Sequence, residues 1–233
     1  MVRRVVRSRG AVVLLSGGMD SATSLALAVR NLEEVHALTV IYGQRHEREI
    51  RSARALARYY RIRSHEILRL PRSTLFASTL TDRERPIPED LGQRPAGIPP
   101  TYVPARNTVL LSLALAYSES HELDQIYLGI NSIDYSGYPD CRPEYLRAFQ
   151  RLARLATKAS VEDQRAVRVS APLLRLTKAE IVRLGERIGV PWERTWSCYR
   201  GGARPCGRCD SCRLRATGFA EAGVIDPLVG TRR

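Results

Sequence analysis

Lysine is almost absent from this chain. Of its 37 basic residues only Lys158 and Lys178 are lysine, and the arginines are scattered, with no dense tract beyond the four between Arg3 and Arg9. A formal net charge of +13 raises the question of a nucleic-acid partner. One-sided arginine usage reads instead as compositional bias of the genome, so nucleic acid is not the expected partner. No apolar run approaches the ~18 residues of a membrane span, and no membrane-spanning segment is expected. The opening M-V-R-R-V-V-R-S-R lacks the apolar core of a secretory signal, which points to a soluble cytoplasmic protein. Five cysteines, four of them close to the C-terminus, are too few and too uneven for a disulfide scaffold. Neither G-x-x-x-x-G-K-S/T nor G-x-G-x-x-G occurs, which excludes a Walker A loop and a dinucleotide-binding turn.

What remains is one core's worth of apolar sequence. With 233 residues, 44% hydrophobic, the chain suits one α/β domain over 1–190 followed by a small segment over 191–233. Its organising stretch is A-V-V-L-L-S-G-G-M-D-S-A-T, Ala11 to Thr23. Five apolar residues read as a strand buried on both faces. From Met19 the period changes, and Ala22, Leu25, Ala26 and Val29 fall at helical spacing. Ser16 to Ser21 therefore bridges the end of a strand and the start of a helix, where unpaired N–H groups, the helix dipole and close backbone approach at glycine favour an anion. Phosphate is the expected guest. Asp20 would serve a cation that comes with it, such as the Mg²⁺ of a nucleotide; a plain capped turn is the alternative.

The remaining pattern alternates strand and helix. Val35 to Tyr42, His65 to Leu70, Gln125 to Ile130 and Val167 to Ser170 read as further strands, giving five in all and a parallel sheet with helices on both faces. Glu47 to Tyr60 reads as a helix, as does Asn107 to Glu119 with Asn107 as N-cap. A third runs from Pro143 to about Lys158, with Leu146, Phe149, Leu152 and Leu155 as its buried stripe. Thr177 and Glu180 form a capping box for a helix that Gly189 and Pro191 stop. Lys178 then falls in the first turn, where a cation opposes the dipole and needs a compensating anion; a nucleotide phosphate would supply one. Seven of the thirteen prolines fall between Pro71 and Pro104, a long loop that is either an active-site lid or disordered. Arg106 at the end of that loop, and Asn131, Asp134, Asp140 and Arg142 in N-S-I-D-Y-S-G-Y-P-D-C-R, are candidate contacts to a small polar molecule. His46 is a surface or capping residue before it is a catalyst.

Cys198, Cys206, Cys209 and Cys212 form a C-x7-C-x2-C-x2-C pattern, able to close four thiolates around Zn²⁺ at a structural site, with an Fe–S cluster as competitor. Cys141 stands apart as a buried or loop thiol.

S-G-G-M-D-S after an apolar strand resembles the pyrophosphate loop of the N-type ATP pyrophosphatases. That resemblance implies that Leu15, Ser16, Gly17, Gly18, Met19, Asp20, Ser21, Ala22 and Thr23 line the ATP site, with Asp20 near Mg²⁺. The order of Y-G-Q-R-H, V-P-A-R-N, the Asn131 to Arg142 loop, L-T-K-A-E-I, W-S-C-Y and C-G-R-C-D-S-C, from Val12 to about Pro227, resembles one family of that group, the 7-cyano-7-deazaguanine synthase (QueC) family of queuosine and archaeosine biosynthesis. The resemblance implies a Rossmann-like sheet, a zinc site and a homodimer. The implied reaction adenylates 7-carboxy-7-deazaguanine with ATP, converts it with ammonia to an amide, and dehydrates the amide to the nitrile with a second ATP. Asp20 and Lys178 are then catalytic, Lys178 holding phosphate or transition-state charge, and Arg106, Asn131, Asp134 and Asp140 bind the substrate. A tRNA-modifying relative and a deazaguanine-transferring relative are the alternatives. Ala105 departs from the pattern, since many relatives carry glycine there.

Overall fold

The computed structural model describes residues 10–45, 48–71, 78–82, 84–89, 97–133, 137–163 and 165–230. Its centre is a sheet of five parallel strands, β1 (Ala11–Leu14), β2 (Val35–Ile41), β3 (Ser64–Arg69), β4 (Gln125–Leu128) and β5 (Arg168–Ser170), in the order β3-β2-β1-β4-β5. Parallel strands need crossovers, and the crossover helices cover both faces. α1 (Met19–Asn31), α2 (Arg48–Tyr59), α6 (Lys178–Ile188) and α7 (Asp210–Ala222) pack on one face. α3 (Arg106–Ser120) and α4 (Pro143–Ala156) pack on the other, with a short α5 (Lys158–Val161) after them. β1 and the residue after it feed both cores: Ala11, Val13 and Leu15 join Leu25, Leu56 and Val182, while Val12 and Leu14 join Leu111 and Phe149. That is why its sequence is apolar throughout rather than alternating. C-terminal Trp192 and Phe219 belong to the first of these cores.

The strand order reverses between β1 and β4, so the loops after these two strands diverge and leave a crevice at their carboxyl ends. Gly129, directly after β4, lets that backbone touch the start of α1. A Cβ there would stand 2.7 Å from the Ser21 amide nitrogen.

Two expectations are corrected. Leu152 and Leu155 of α4 are 47% and 81% exposed, and the buried positions are Phe149 and Ala153. At 3.6 residues per turn a strict i+3 stripe drifts by about 60° per step, so it leaves the core within two steps. Asn107 is buried inside α3 and does not cap it; its backbone N–H donates to Asp140 Oδ2 at 2.9 Å, so the cap comes from a residue 33 positions away. The described parts of the proline-rich loop are anchored rather than loose. Arg45 bonds the carbonyls of Asp82 and Arg85, Thr79 Oγ1 donates to the Pro100 carbonyl at 3.1 Å, and Ile87 packs among the cysteines. The capping box appears as expected, with Glu180 N donating to Thr177 Oγ1 at 3.2 Å and Gly189 closing the helix at φ 74°.

Ala105 precedes α3 at φ 50°, ψ 23°, a left-handed conformation in which its Cβ is crowded. Ala105→Gly is therefore expected to stabilise the protein by about 1 kcal/mol, net of glycine's greater freedom when unfolded. Thermal unfolding measures it, and a lower midpoint would contradict the assignment.

Candidate active site

The crevice holds a cavity of about 220 Å³, room for many water molecules and so more than a packing defect. Its floor is the β1–α1 turn. Gly17 adopts φ 91°, and a Cβ there would lie 2.2 Å from the Glu49 carbonyl oxygen, so only glycine lets α2 pack this closely. Gly18 caps α1 without any side-chain hydrogen bond, leaving the dipole's positive end directed at the cavity. The serines hold the turn in shape: Gly17 N donates to Ser21 Oγ at 3.2 Å, Gly18 N to Ser16 Oγ at 3.3 Å, and the two hydroxyls meet at 3.0 Å. Leu15, Ser16, Gly18, Met19, Asp20 and Ser21 all line the cavity. Ala22 and Thr23 are buried beneath it, with Thr23 Oγ1 donating to the Met19 carbonyl at 3.0 Å.

Lys178 Nζ donates to both carboxylate oxygens of Asp20 at 2.8 Å. The compensating anion required by a cation in the first turn of α6 is thus Asp20. The Lys178 side chain reaches it through space left by Gly218 on α7, where a Cβ would lie 2.4 Å from Lys178 Cγ. Gly218→Ala is expected to push Lys178 off Asp20, lowering turnover about 10-fold or more and destabilising the fold by roughly 1–3 kcal/mol. Steady-state kinetics with thermal unfolding checks this, and unchanged values of both would rule it out.

Also lining the cavity, Arg106 Nη1 donates to the Tyr42 hydroxyl at 3.2 Å, and its guanidinium lies 5.9 Å from the centre of the Tyr42 ring. Asn131 also lines the cavity, but its amide is engaged by backbone: Oδ1 accepts from Ile133 N at 2.7 Å, and Nδ2 donates to the Leu176 carbonyl. Asp140 is not among the lining residues, and its Oδ2 serves as the cap of α3. Asp134 and His46 lie outside the described residues. Cys141 lines the cavity; burial, with the Asp140 charge adding to it, pushes its thiol up to about 12, so it is a neutral thiol rather than a nucleophile at physiological pH.

Beside the cavity, the sulfurs of Cys198, Cys206, Cys209 and Cys212 all lie within 4.8 Å of one another. Cys206 and Cys212 Sγ are 3.9 Å apart, close to the roughly 3.8 Å edge of a tetrahedron with metal–sulfur bonds of about 2.3 Å. Cys206 N and Cys209 N donate to Cys198 Sγ and Cys206 Sγ at 3.4 Å. Hydrogen bonds from the Cys209 and Cys212 thiols lower the Cys198 thiol from its ordinary range. Four thiols this close together could hold one metal ion. The cluster is tied to the β1–α1 turn through Trp196, whose backbone N–H donates to the Gly17 carbonyl at 2.9 Å and whose indole donates to the Cys198 carbonyl at 2.9 Å.

With that geometry in view, the comparison with known families is decisive. The family model "Queuosine biosynthesis protein QueC" matches residues 10–223. The chain belongs to the QueC family. The 7-cyano-7-deazaguanine synthase of Anaeromyxobacter sp. (strain Fw109-5) is 56% identical over 227 residues, 95% of this chain and 96% of its own. That of Thermoplasma acidophilum is 50% identical over 218 residues, 94% of this chain and 90% of its own. Among solved structures, an NMN synthetase from Francisella tularensis is a distant likeness, at 17% identity and a TM-score of 0.47 over 94% of this chain and 79% of its own.

Several residues of this QueC cavity carry no mark in the sequence. Glu49 lines it from the first turn of α2; burial pushes its carboxyl up to about 7, against the pull of the Arg106 guanidinium and with a further push from Cys198. Arg215 of α7 also lines it, 3% exposed, held by Asp226 through a bidentate pair at 2.7 and 2.8 Å and by Thr195 Oγ1 at 2.7 Å. Gly129, which is not singled out from the sequence, does carry a local signal, since a glycine at a strand's end marks close backbone approach.

Proposed function

We propose that this protein converts 7-carboxy-7-deazaguanine and ammonia to 7-cyano-7-deazaguanine, using two ATP that leave as AMP and pyrophosphate. The supporting observation is an uncapped α1 N-terminus opening into a cavity flanked by Lys178, in a QueC-family chain. In this reading the Ser16 to Ser21 turn receives the pyrophosphate half of ATP, and the amides and hydroxyls that now bond one another turn to its oxygens. Lys178 leaves Asp20 for the phosphate charge that develops as pyrophosphate departs, and Asp20 offers its oxygens to the Mg²⁺ that accompanies ATP. Arg106 faces the substrate carboxylate with its planar fork. An acyl-adenylate is reactive once made, so the remaining task is to align the groups and exclude water.

The reading divides the chain near residue 190, with 191–233 as the metal-binding segment. Zn²⁺ is its metal: four sulfur donors close enough for one tetrahedral ion suit it, whereas an Fe–S cluster would spread the thiolates over separate irons. With no ligand position left open, that ion is structural. The protein works in the cytoplasm as a homodimer, for which exposed Leu152 and Leu155 offer apolar surface. Incubation with ATP, Mg²⁺, ammonium and 7-carboxy-7-deazaguanine, followed by mass spectrometry, tests the activity. The nitrile is the expected product, and ATP consumption that the free acid does not stimulate would refute the reading.

A further inference from the structure

One acidic side chain in the cavity has no task in that mechanism. Glu49 stands in the first turn of α2, whose backbone is pressed against the phosphate turn at Gly17, and its side chain shares the cavity lining with Ser16, Asp20 and Arg106. Of the two carboxylates there, Asp20 is held by Lys178, while Glu49 accepts no hydrogen bond from any described side chain. A half-buried carboxylate that lines the cavity and accepts no side-chain donor is open to a ligand that brings its own N–H groups.

Building on the proposed activity, we propose that Glu49 is the catalytic base that generates the nitrogen nucleophile, binding ammonium in the cavity and taking one proton from it. An N–H bond of ammonium breaks, the proton forms an O–H bond on Glu49, and the electron pair stays on nitrogen as the lone pair of ammonia. That pair makes the C–N bond to the acyl carbon, and the C–O bond to AMP breaks with its electrons leaving on AMP. The adduct's surplus proton passes to water, and Glu49 returns its own through the cavity mouth. The surroundings suit the task. Arg106 from α3, Tyr42 and Arg45 from the β2–α2 loop, Asp20 and Lys178 across the β1–α1 turn, Tyr138 and Cys141 beyond β4, Tyr199 and Arg215 nearer the C-terminus, and Cys198 beside them are the described charged and titratable groups around it. Desolvation in the cavity raises the Glu49 carboxyl, so it takes up a proton more readily than an ordinary carboxylate.

The test uses the full-length protein with ATP, Mg²⁺ and 7-carboxy-7-deazaguanine and compares two nucleophiles. At neutral pH ammonium must be deprotonated, whereas hydroxylamine is already largely the free base and traps an acyl-adenylate as the hydroxamate. Glu49→Gln is expected to lower amide and nitrile formation about 100-fold at neutral pH while hydroxamate formation stays within a few-fold. Raising the pH until free ammonia predominates should bring amide formation back toward the wild-type rate. Glu49→Asp, which keeps a carboxylate, recovers part of the neutral-pH rate and carries the same amide-to-hydroxamate comparison if the glutamine variant does not fold. Equal losses with both nucleophiles at every pH, or undiminished amide formation at neutral pH, would overturn the role of Glu49. Absence of hydroxamate from the wild-type protein would instead strike the adenylation reading itself.

Discussion

Lys178→Met is expected to lower AMP release by about 1000-fold, the upper end of what one preorganised charge contributes to a developing anion. It should also destabilise the fold by roughly 3 kcal/mol, because the Asp20 carboxylate, with its side chain only 16% exposed, loses its partner. The two effects separate in a double variant. Asp20→Asn alone takes the carboxylate charge away from the ammonium at the start of α6, where the dipole opposes it, and should also destabilise. Combining it with Lys178→Met removes both charges and should recover most of the stability with none of the activity. Thermal unfolding and AMP release, measured side by side on the three variants, check this. Activity in the double variant, or additive losses of stability, would contradict the pairing.

Removing the metal is expected to have the other large effect. Four thiolates around one ion contribute several kcal/mol to folding, and each kcal/mol moves the midpoint of a domain this size by roughly 2–4 °C, so chelation or Cys212→Ser should lower it by more than about 10 °C. The loss should extend to the nucleotide site. Trp196, 2% exposed beside the cysteines, donates its backbone N–H to the Gly17 carbonyl, and Arg48 covers its ring at 4.5 Å. Tryptophan fluorescence and ATP affinity should therefore change together as metal is stripped. ATP binding unaltered in metal-free protein would sever that link.

The parts legible in the sequence are those carried by neighbours in the chain. The strand-turn-helix of Ala11 to Thr23, the capping box at Thr177 and the spacing of the four cysteines each state a local geometry, and the structure contains all three. The illegible parts are contacts between distant segments. Nothing near Gly218 announces that it makes room for Lys178, and nothing near Asp140 announces that it caps a helix begun 34 residues earlier at Arg106. Glu49 and Arg215 sit among many similar charges and are singled out only by where their helices pack. The stripe on α4 failed for a different reason: leucines at i+3 mimic a buried face locally, but the neighbouring elements cover the side marked by Phe149 and Ala153.

Transfer of the substrate's own oxygen is the most direct measurement. With 7-carboxy-7-deazaguanine labelled with oxygen-18 in both carboxylate positions, adenylation of the carboxylate oxygen and then of the amide oxygen predicts that each of the two AMP molecules formed per nitrile carries one labelled oxygen, and that pyrophosphate carries none. Label recovered in water or inorganic phosphate, or ADP formed in place of AMP, would contradict nucleotide activation at this phosphate turn.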